Sequence, residues 1–251
     1  MSSPFSLEGR VAIVTGAAAG LGAGYAVALA EAGADVAVHD RIPVEATCEQ
    51  VRALGRRALA LQADITDAQA PERLVRETLK GLGSLEIVVN NAGTIRRSPA
   101  DQTTDEDWLA VLDVNLSAVF RMCRAAGRHL LAQGHGKIVN VASLLAFQGG
   151  ILVQAYAASK GGVAQLTKAL SNEWAAKGVN VNAIAPGYVR TANTAPLQAD
   201  AVRNKAILDR IPAGRWAEPA DIAGGVVFLS SPASDYVHGH VLVVDGGWLG
   251  R

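Results

Sequence analysis

The stretch "VAIVTGAAAGLGAG", residues 11–24, decides the fold. Four apolar residues, Val11 to Val14, lead into a turn with glycines at 16, 20 and 22. A helical pattern carrying Tyr25, Val27, Leu29 and Ala30 follows. Glycine allows a tight turn and lets an anion approach main-chain N–H groups. A helix N-terminus adds unpaired donors and partial positive charge. The G-x-x-x-G-x-G spacing differs from the G-x-G-x-x-G of many dinucleotide sites, so a glycine-rich turn without a ligand is the plain alternative. On the first strand of a parallel sheet the turn points to a pyrophosphate, with Gly16, Gly20, Leu21 and Gly22 around it.

Outward from this unit the same alternation recurs. Apolar runs at 11–14, 35–38, 58–61, 86–89, 137–142, 181–185 and 241–244 predict strands. Their continuous Val, Ile, Leu and Ala content fits strands buried on both faces of a parallel sheet. Helical spacing occupies about 20–32, 43–55, 71–82, 104–133, 155–177, 199–210 and 219–230. "TDED" at 104–107 has the form of a capping box, and Gly33, Gly55, Gly134 and Gly178 fall where helices should stop. The expected architecture is α/β: a doubly wound, Rossmann-type parallel sheet of about seven strands with helices on both faces. With no linker, repeat or low-complexity tract, residues 1–251 are expected to form a single domain.

Composition narrows the partners. Half of the 251 residues are hydrophobic, and 23 basic residues balance 23 acidic ones. Neutral net charge gives no electrostatic footprint for nucleic acid or an anionic membrane. No apolar run is long enough to span a bilayer, and "MSSPFSLEGR" lacks the profile of a secretory signal. Cys48 and Cys123 lie in helical stretches, which suits a reducing cytoplasm and no disulfide framework. The histidine pair in "HGH", at 238 and 240, has no third ligand at a usual spacing, so no metal site is expected.

The strand ends carry polar residues. Asp40 ends "VAVHD", where a carboxylate can accept both adenosine ribose hydroxyls and would repel a 2′-phosphate. That favours NAD over NADP, although Arg41 beside it can offset the repulsion. Asp64, followed by Ile65, ends "QADIT" and can either meet an adenine amino group or cap the next helix.

Further motifs are ordered along the chain: "NNAG" at 90–93, Asn115 in "VLDVNL", "VAS" ending at Ser143, "YAASK" from Tyr156 to Lys160, and "APG" at 185–187. Together with "TGAAAGLG" they resemble the classical short-chain dehydrogenase/reductase family from about residue 8 to the C-terminus. "NNAGTIRR", "FQGGI", "WAAKGVNVNAIAPGY", "ILDRIPAGRW" and "VDGGWLGR" are similar to its sugar-acid branch. That branch includes the 2-deoxy-D-gluconate 3-dehydrogenases, also called 2-dehydro-3-deoxy-D-gluconate 5-dehydrogenases, and the gluconate 5-dehydrogenases.

Positions i and i+4 share a helix face, so Tyr156 and Lys160 should project together. A free tyrosine titrates near ~10, and a neighbouring cation favours its phenolate. The resemblance implies that Tyr156 exchanges the proton of a secondary alcohol while Ser143 holds the reacting oxygen. It further implies that Lys160 holds the nicotinamide ribose, and that Asn115 distorts its helix and holds a water joined to Lys160. Asn91, Ala92 and Gly93 are expected to brace the strands and leave room for adenosine. Pro186, Gly187, Val189 and Thr191 are expected to pass the nicotinamide amide.

A sugar acid needs a cation for its carboxylate, and arginine clamps one in bidentate fashion. Arg96 and Arg97 are adjacent on an extended segment and should point oppositely; the resemblance favours Arg97. Gln148 and Tyr188 are candidates for hydroxyl contacts. Residues 191–217 are polar, partly helical and long enough to cover a cleft as a substrate lid. The expected function is an NAD-dependent sugar-acid dehydrogenase, assembled as a homotetramer. The competing readings are a 3-oxoacyl-carrier reductase of the same family and a nucleotide-sensing protein without chemistry.

Overall fold

A computed structural model describes residues 3–251. Its strands and helices alternate in chain order: β1 (Val11–Thr15), α1 (Gly20–Glu31), β2 (Asp35–Asp40), α2 (Glu45–Ala53), β3 (Ala58–Gln62), α3 (Ala70–Leu82) and β4 (Ile87–Asn90). They continue as α4 (Asp105–Leu112), α5 (Ala118–Gln133), β5 (Gly136–Val141), α6 (Gln154–Trp174), β6 (Val179–Pro186), α7 (Ala195–Ala199), α8 (Ala201–Leu208), α9 (Pro219–Ser230) and β7 (Val241–Val244).

The strands form one parallel sheet in the order β3-β2-β1-β4-β5-β6-β7. Successive side chains leave opposite faces. Val11 and Ile13 therefore join one core, with α3, α5 and α6, while Ala12 and Val14 join the other, with α1, α2 and α9. Burial on both faces explains why the strands read as unbroken apolar runs. The order reverses between β1 and β4, so the loops after these strands part and leave a crevice at their carboxyl ends.

Two side chains hold that crevice in shape. Asn91 donates through Nδ2 to the Thr15 carbonyl (3.0 Å) and the Gly16 carbonyl (2.8 Å). Thr15 Oγ1 accepts from the Asn91 and Ala92 N–H groups, each at 3.1 Å. Gly16 has φ +66°, and a Cβ there would lie 2.7 Å from Ala92 Cα. A Cβ on Gly22 would lie 2.1 Å from the Gly16 carbonyl oxygen. The two loops therefore pack backbone to backbone, as the glycine spacing requires.

The structure departs from the sequence pattern in a few places. The stretch expected as one helix over 104–133 is interrupted by a π-helical turn at Asp113–Ser117, between α4 and α5. The capping box at 104–107 is half made. Thr104 Oγ1 accepts from Asp107 N (3.1 Å), but the Asp107 carboxylate is drawn to Arg96 (2.7 Å). The helix expected over 199–210 is α8, which Asp200 caps through Val202 N and Arg203 N, and the short α7 before it was not expected. Gly33, Gly55, Gly134 and Gly178 all have positive φ at helix ends, as expected.

Gly22→Ala should overpack the turn, at a cost of about 1–3 kcal/mol and a Tm drop of roughly 2–12 °C. Gly224→Ala in α9 meets nothing within 4 Å and should leave Tm unchanged or higher. Thermal unfolding of both variants checks this.

Candidate active site

Three elements converge at the crevice. β5 delivers Ser143, whose backbone is extended (φ −169°) before the chain tightens into a 3₁₀ turn, and whose Oγ accepts from Leu145 N at 3.2 Å. α6 delivers Tyr156 and Lys160 on one face. The π turn delivers Asn115, fully buried, whose Oδ1 accepts from Thr94 N (2.8 Å) and whose Nδ2 donates to Thr94 O (2.9 Å) and Ser159 Oγ (3.1 Å). The extra residue in that turn rotates Asn115 inward to lock the chain after "NNAG" against α6.

Two hollows meet at Tyr156. The first, a cleft of about 490 Å³, is lined by Gly16, Gly20, Leu21, Gly22, Asp40, Asp64, Ile65, Asn91, Ala92, Gly93, Lys160 and Thr191. At its floor α1 begins without a capping side chain and with no acid in its first turn. Other helices have such a partner: Thr104 caps α4, and Asp200 caps α8. The free N–H groups of α1 thus suit a pyrophosphate. Asp40 stands at the far end, its oxygens fixed by Ala18 N (3.1 Å) and Arg41 N (2.7 Å). One oxygen of Asp64 is used by Thr66 N and Oγ1 (2.9 and 2.7 Å), the local capping role, and the other is left to the cleft. These residues fit a nicotinamide dinucleotide.

Pro186 and Val189 do not line the cleft. The Val189 side chain is in the core, because its backbone bridges to Ala217, so only main-chain groups there can face a cofactor. Gly187 lines the second hollow instead. A Cβ on it would lie 2.6 Å from Asp245 Cα, so its role is close packing.

The second hollow, about 360 Å³, holds Ser143, Tyr156, Gln148, Tyr188 and Arg97. Arg96 and Arg97 do diverge: Arg96 pairs with Asp107 (2.7 Å), while Arg97 donates to the Asn193 carbonyl (2.9 Å). Gln148 accepts from Arg210 through Oε1 (3.2 Å), which leaves its Nε2 to the hollow. Tyr188 lies among aromatic rings, edge-on to Trp216 (5.4 Å) and tilted against Trp248 (4.7 Å). Arg203, Arg210 and Trp248 also line this hollow, and the sequence motifs did not single them out. The available signal was the basic residues within the supposed lid.

The electrostatics differ from the simple Tyr–Lys picture. Burial raises the Tyr156 pKa above its ordinary value, and a hydrogen bond from Ser143 and the charge of Arg97 pull against it. Lys160 makes no hydrogen bond to the hydroxyl. Its Nζ sits 5.6 Å from the centre of the Tyr156 ring and donates to the Val141 carbonyl at 2.6 Å. Burial lowers the Lys160 pKa to about 8. The arrangement offers an acid/base phenol, a hydroxyl beside it, a buried ammonium facing the dinucleotide cleft, and arginines on a small pocket with largely apolar walls.

The sequence matches a family model described as enoyl-(acyl carrier protein) reductase over residues 16–249. The 2-dehydro-3-deoxy-D-gluconate 5-dehydrogenase of Escherichia coli (strain K12) is 52% identical over 250 residues, 99% of each chain. The chain belongs to the short-chain dehydrogenase/reductase family. The Bacillus subtilis (strain 168) protein of the same name is 52% identical, covering 98% of this chain and 97% of its own. A crystal structure from Agrobacterium tumefaciens, described as a 2-deoxy-D-gluconate 3-dehydrogenase with bound NADP, is 55% identical. It superposes with a TM-score of 0.95 over the full length of both chains. Gly16, Gly20, Gly22, Asn91, Gly93, Ser143, Tyr156 and Lys160 line the two hollows, while Asn115 is buried beside them.

A base whose pKa is lowered by folding resists protonation in the native state. The unfolded chain then binds more protons between about pH 8 and the ordinary lysine value near ~10.4. Buried charge at Lys160 therefore destabilises most below about pH 8, and this cost fades as pH rises through that window. Lys160→Met should raise Tm at pH 7, with the advantage over wild type shrinking between pH 8 and 10, measured by calorimetry across pH.

Proposed function

We propose that the protein transfers hydride between a nicotinamide dinucleotide and a secondary hydroxyl of a sugar acid of the 2-deoxy-D-gluconate or 2-dehydro-3-deoxy-D-gluconate type. The observation that carries this reading is the position of Tyr156 and Ser143, where a glycine-floored cleft opens into an arginine-rich pocket. A bound nicotinamide supplies the hydride acceptor or donor. Tyr156 takes the alcohol proton in oxidation and returns it in reduction. Ser143 keeps the reacting oxygen against the phenol, which is an orientation effect. Arg97, the cation felt by the Tyr156 hydroxyl, lowers the cost of the phenolate. Lys160 receives the nicotinamide ribose hydroxyls. The side chain of Asn115 is committed to Thr94 and Ser159, so a water relay to Lys160 would use main chain opened by the π turn.

NAD is the proposed preference. Asp40 occupies the ribose end of the cleft, and residues 17–19 of the phosphate turn are all alanine, with no cation for a 2′-phosphate. The Agrobacterium tumefaciens relative carries NADP, and here Arg41 is the side chain that would have to accommodate it. Residues 191–217 form the proposed lid, with α7 and α8 packed over the pocket through Leu197 and Ile207. Assembly as a cytoplasmic homotetramer belongs to the same reading, and exposed Leu109 on α4 and Phe120 on α5 offer apolar contact surface. A carrier-bound acyl substrate is disfavoured by three arginines in the pocket and by the neutral net charge.

Steady-state assays of a sugar-acid panel with both cofactors test the reading. NAD should support a kcat/KM at least about tenfold above NADP, and Asp40→Ser should narrow that ratio. Tyr156→Phe should lower kcat by about 10²–10⁴-fold while cofactor binding persists. Cofactor binding without turnover of any sugar acid would leave a nucleotide-sensing protein.

A further inference from the structure

The substrate pocket has two poles, and they differ in chemistry. At the catalytic pole stand Ser143, Tyr156 and Arg97. The Arg97 guanidinium is held by the Asn193 carbonyl (2.9 Å), and its charge reaches the Tyr156 hydroxyl. At the other pole stand Tyr188, Trp248, Arg203 and Arg210. The charges of Arg203 and Arg210 reach Tyr188 and do not figure at Tyr156.

The second pole is built by the lid and the C-terminus together. Arg203 lies one turn before buried Ile207 on α8, and Arg210 follows two residues after that helix ends. Arg210 lies flat on the Trp248 ring, 4.1 Å from its centre, and donates to Gln148 Oε1 at 3.2 Å. Stacking and this bond orient its guanidinium. The Arg203 guanidinium is partly buried and has no ion pair or hydrogen bond among the described residues. No aspartate or glutamate lines the pocket. Two guanidinium groups therefore stand at this end of the pocket with no carboxylate to neutralise them, which favours an anionic ligand.

We propose that Arg203 and Arg210 form the carboxylate-binding pole of the pocket, and that Arg97 serves the reacting end. This rests on the sugar-acid reading above. It makes the pocket a ruler: the anion is anchored under the lid, and the carbon presented to Tyr156 is one set back along the chain from the carboxylate. Arg203 is then a specificity residue for charged substrates. Because Arg203 belongs to the lid, a bound carboxylate ties α8 to the substrate.

The test compares Arg203→Met, Arg210→Met and Arg97→Met on a sugar acid and on an uncharged polyol of the same length. Charge-assisted bonds contribute roughly 1.5–3 kcal/mol, about 10- to 150-fold. Arg203→Met and Arg210→Met should each raise KM for the acid at least about tenfold. Their kcat should stay within about threefold, with polyol kinetics unchanged. Arg203→Lys should recover part of the loss, and unaltered NADH binding and Tm verify that the variants are folded. Arg97→Met should instead lower kcat on both substrates. The proposal is overturned if acid KM is unchanged in the Arg203 and Arg210 variants, or if Arg97→Met alone carries the acid-selective KM effect. A wild-type enzyme that oxidises polyols but no sugar acid sinks the reading beneath it instead.

Discussion

Everything at the active site depends on the contact between the ends of β1 and β4. There the sheet reverses its order, and two loops that would otherwise separate are stitched by Asn91 and Thr15. The stitch needs backbone against backbone, which is why Gly16 and Gly22 tolerate no Cβ. It leaves the first N–H groups of α1 open to the crevice and sets the floor on which a dinucleotide can lie. Asn115 extends the same bracing to α6, so the cofactor floor and the Tyr156 helix are held as one rigid body by short polar bonds.

On this frame the chemistry is divided between strand end and helix face. Ser143 leaves β5 in an extended conformation, and Tyr156 and Lys160 approach along α6. The ammonium does not tune the phenol by touching it. Lys160 is bound to the Val141 carbonyl and oriented toward the cofactor cleft, whereas the charge of Arg97, from the loop after β4, favours the phenolate. A buried lysine whose pKa has fallen to about 8 is a stability cost that the site retains, in keeping with strain concentrated at functional sites. The lid adds a separate small core, with Ile207, Ile211, Trp216 and Trp248 packed on Leu144, that links the C-terminus to the substrate pocket.

The scaffold was legible because its signals are local. Seven apolar runs, helix-ending glycines and a glycine-rich turn each reflect constraints acting within a few residues, and all match the observed sheet and helix ends. The misses lie where two local preferences compete. Asp200 caps α8 and separates it from α7, a five-residue helix that spacing did not mark. Arg96 takes the Asp107 carboxylate and leaves the capping box half formed. The π turn at Asp113–Ser117 gains its inward asparagine only because Thr94 and Ser159 are there to receive it.

The sequence by itself determined the doubly wound sheet and the dinucleotide cleft, because periodicity and glycine spacing are properties of the chain read in order, while the Ser143, Tyr156 and Lys160 set followed from the resemblance to the family's motifs. Only the tertiary structure decided that the charge of Arg97 reaches the phenol, that Gln148 accepts from Arg210, and that Arg203, Arg210 and Trp248 share one end of the pocket. Those residues come from the lid and the last turn of the chain, more than forty positions from the catalytic motifs. Charge and hydrogen-bond partnership depend on distance through space, which no local pattern records.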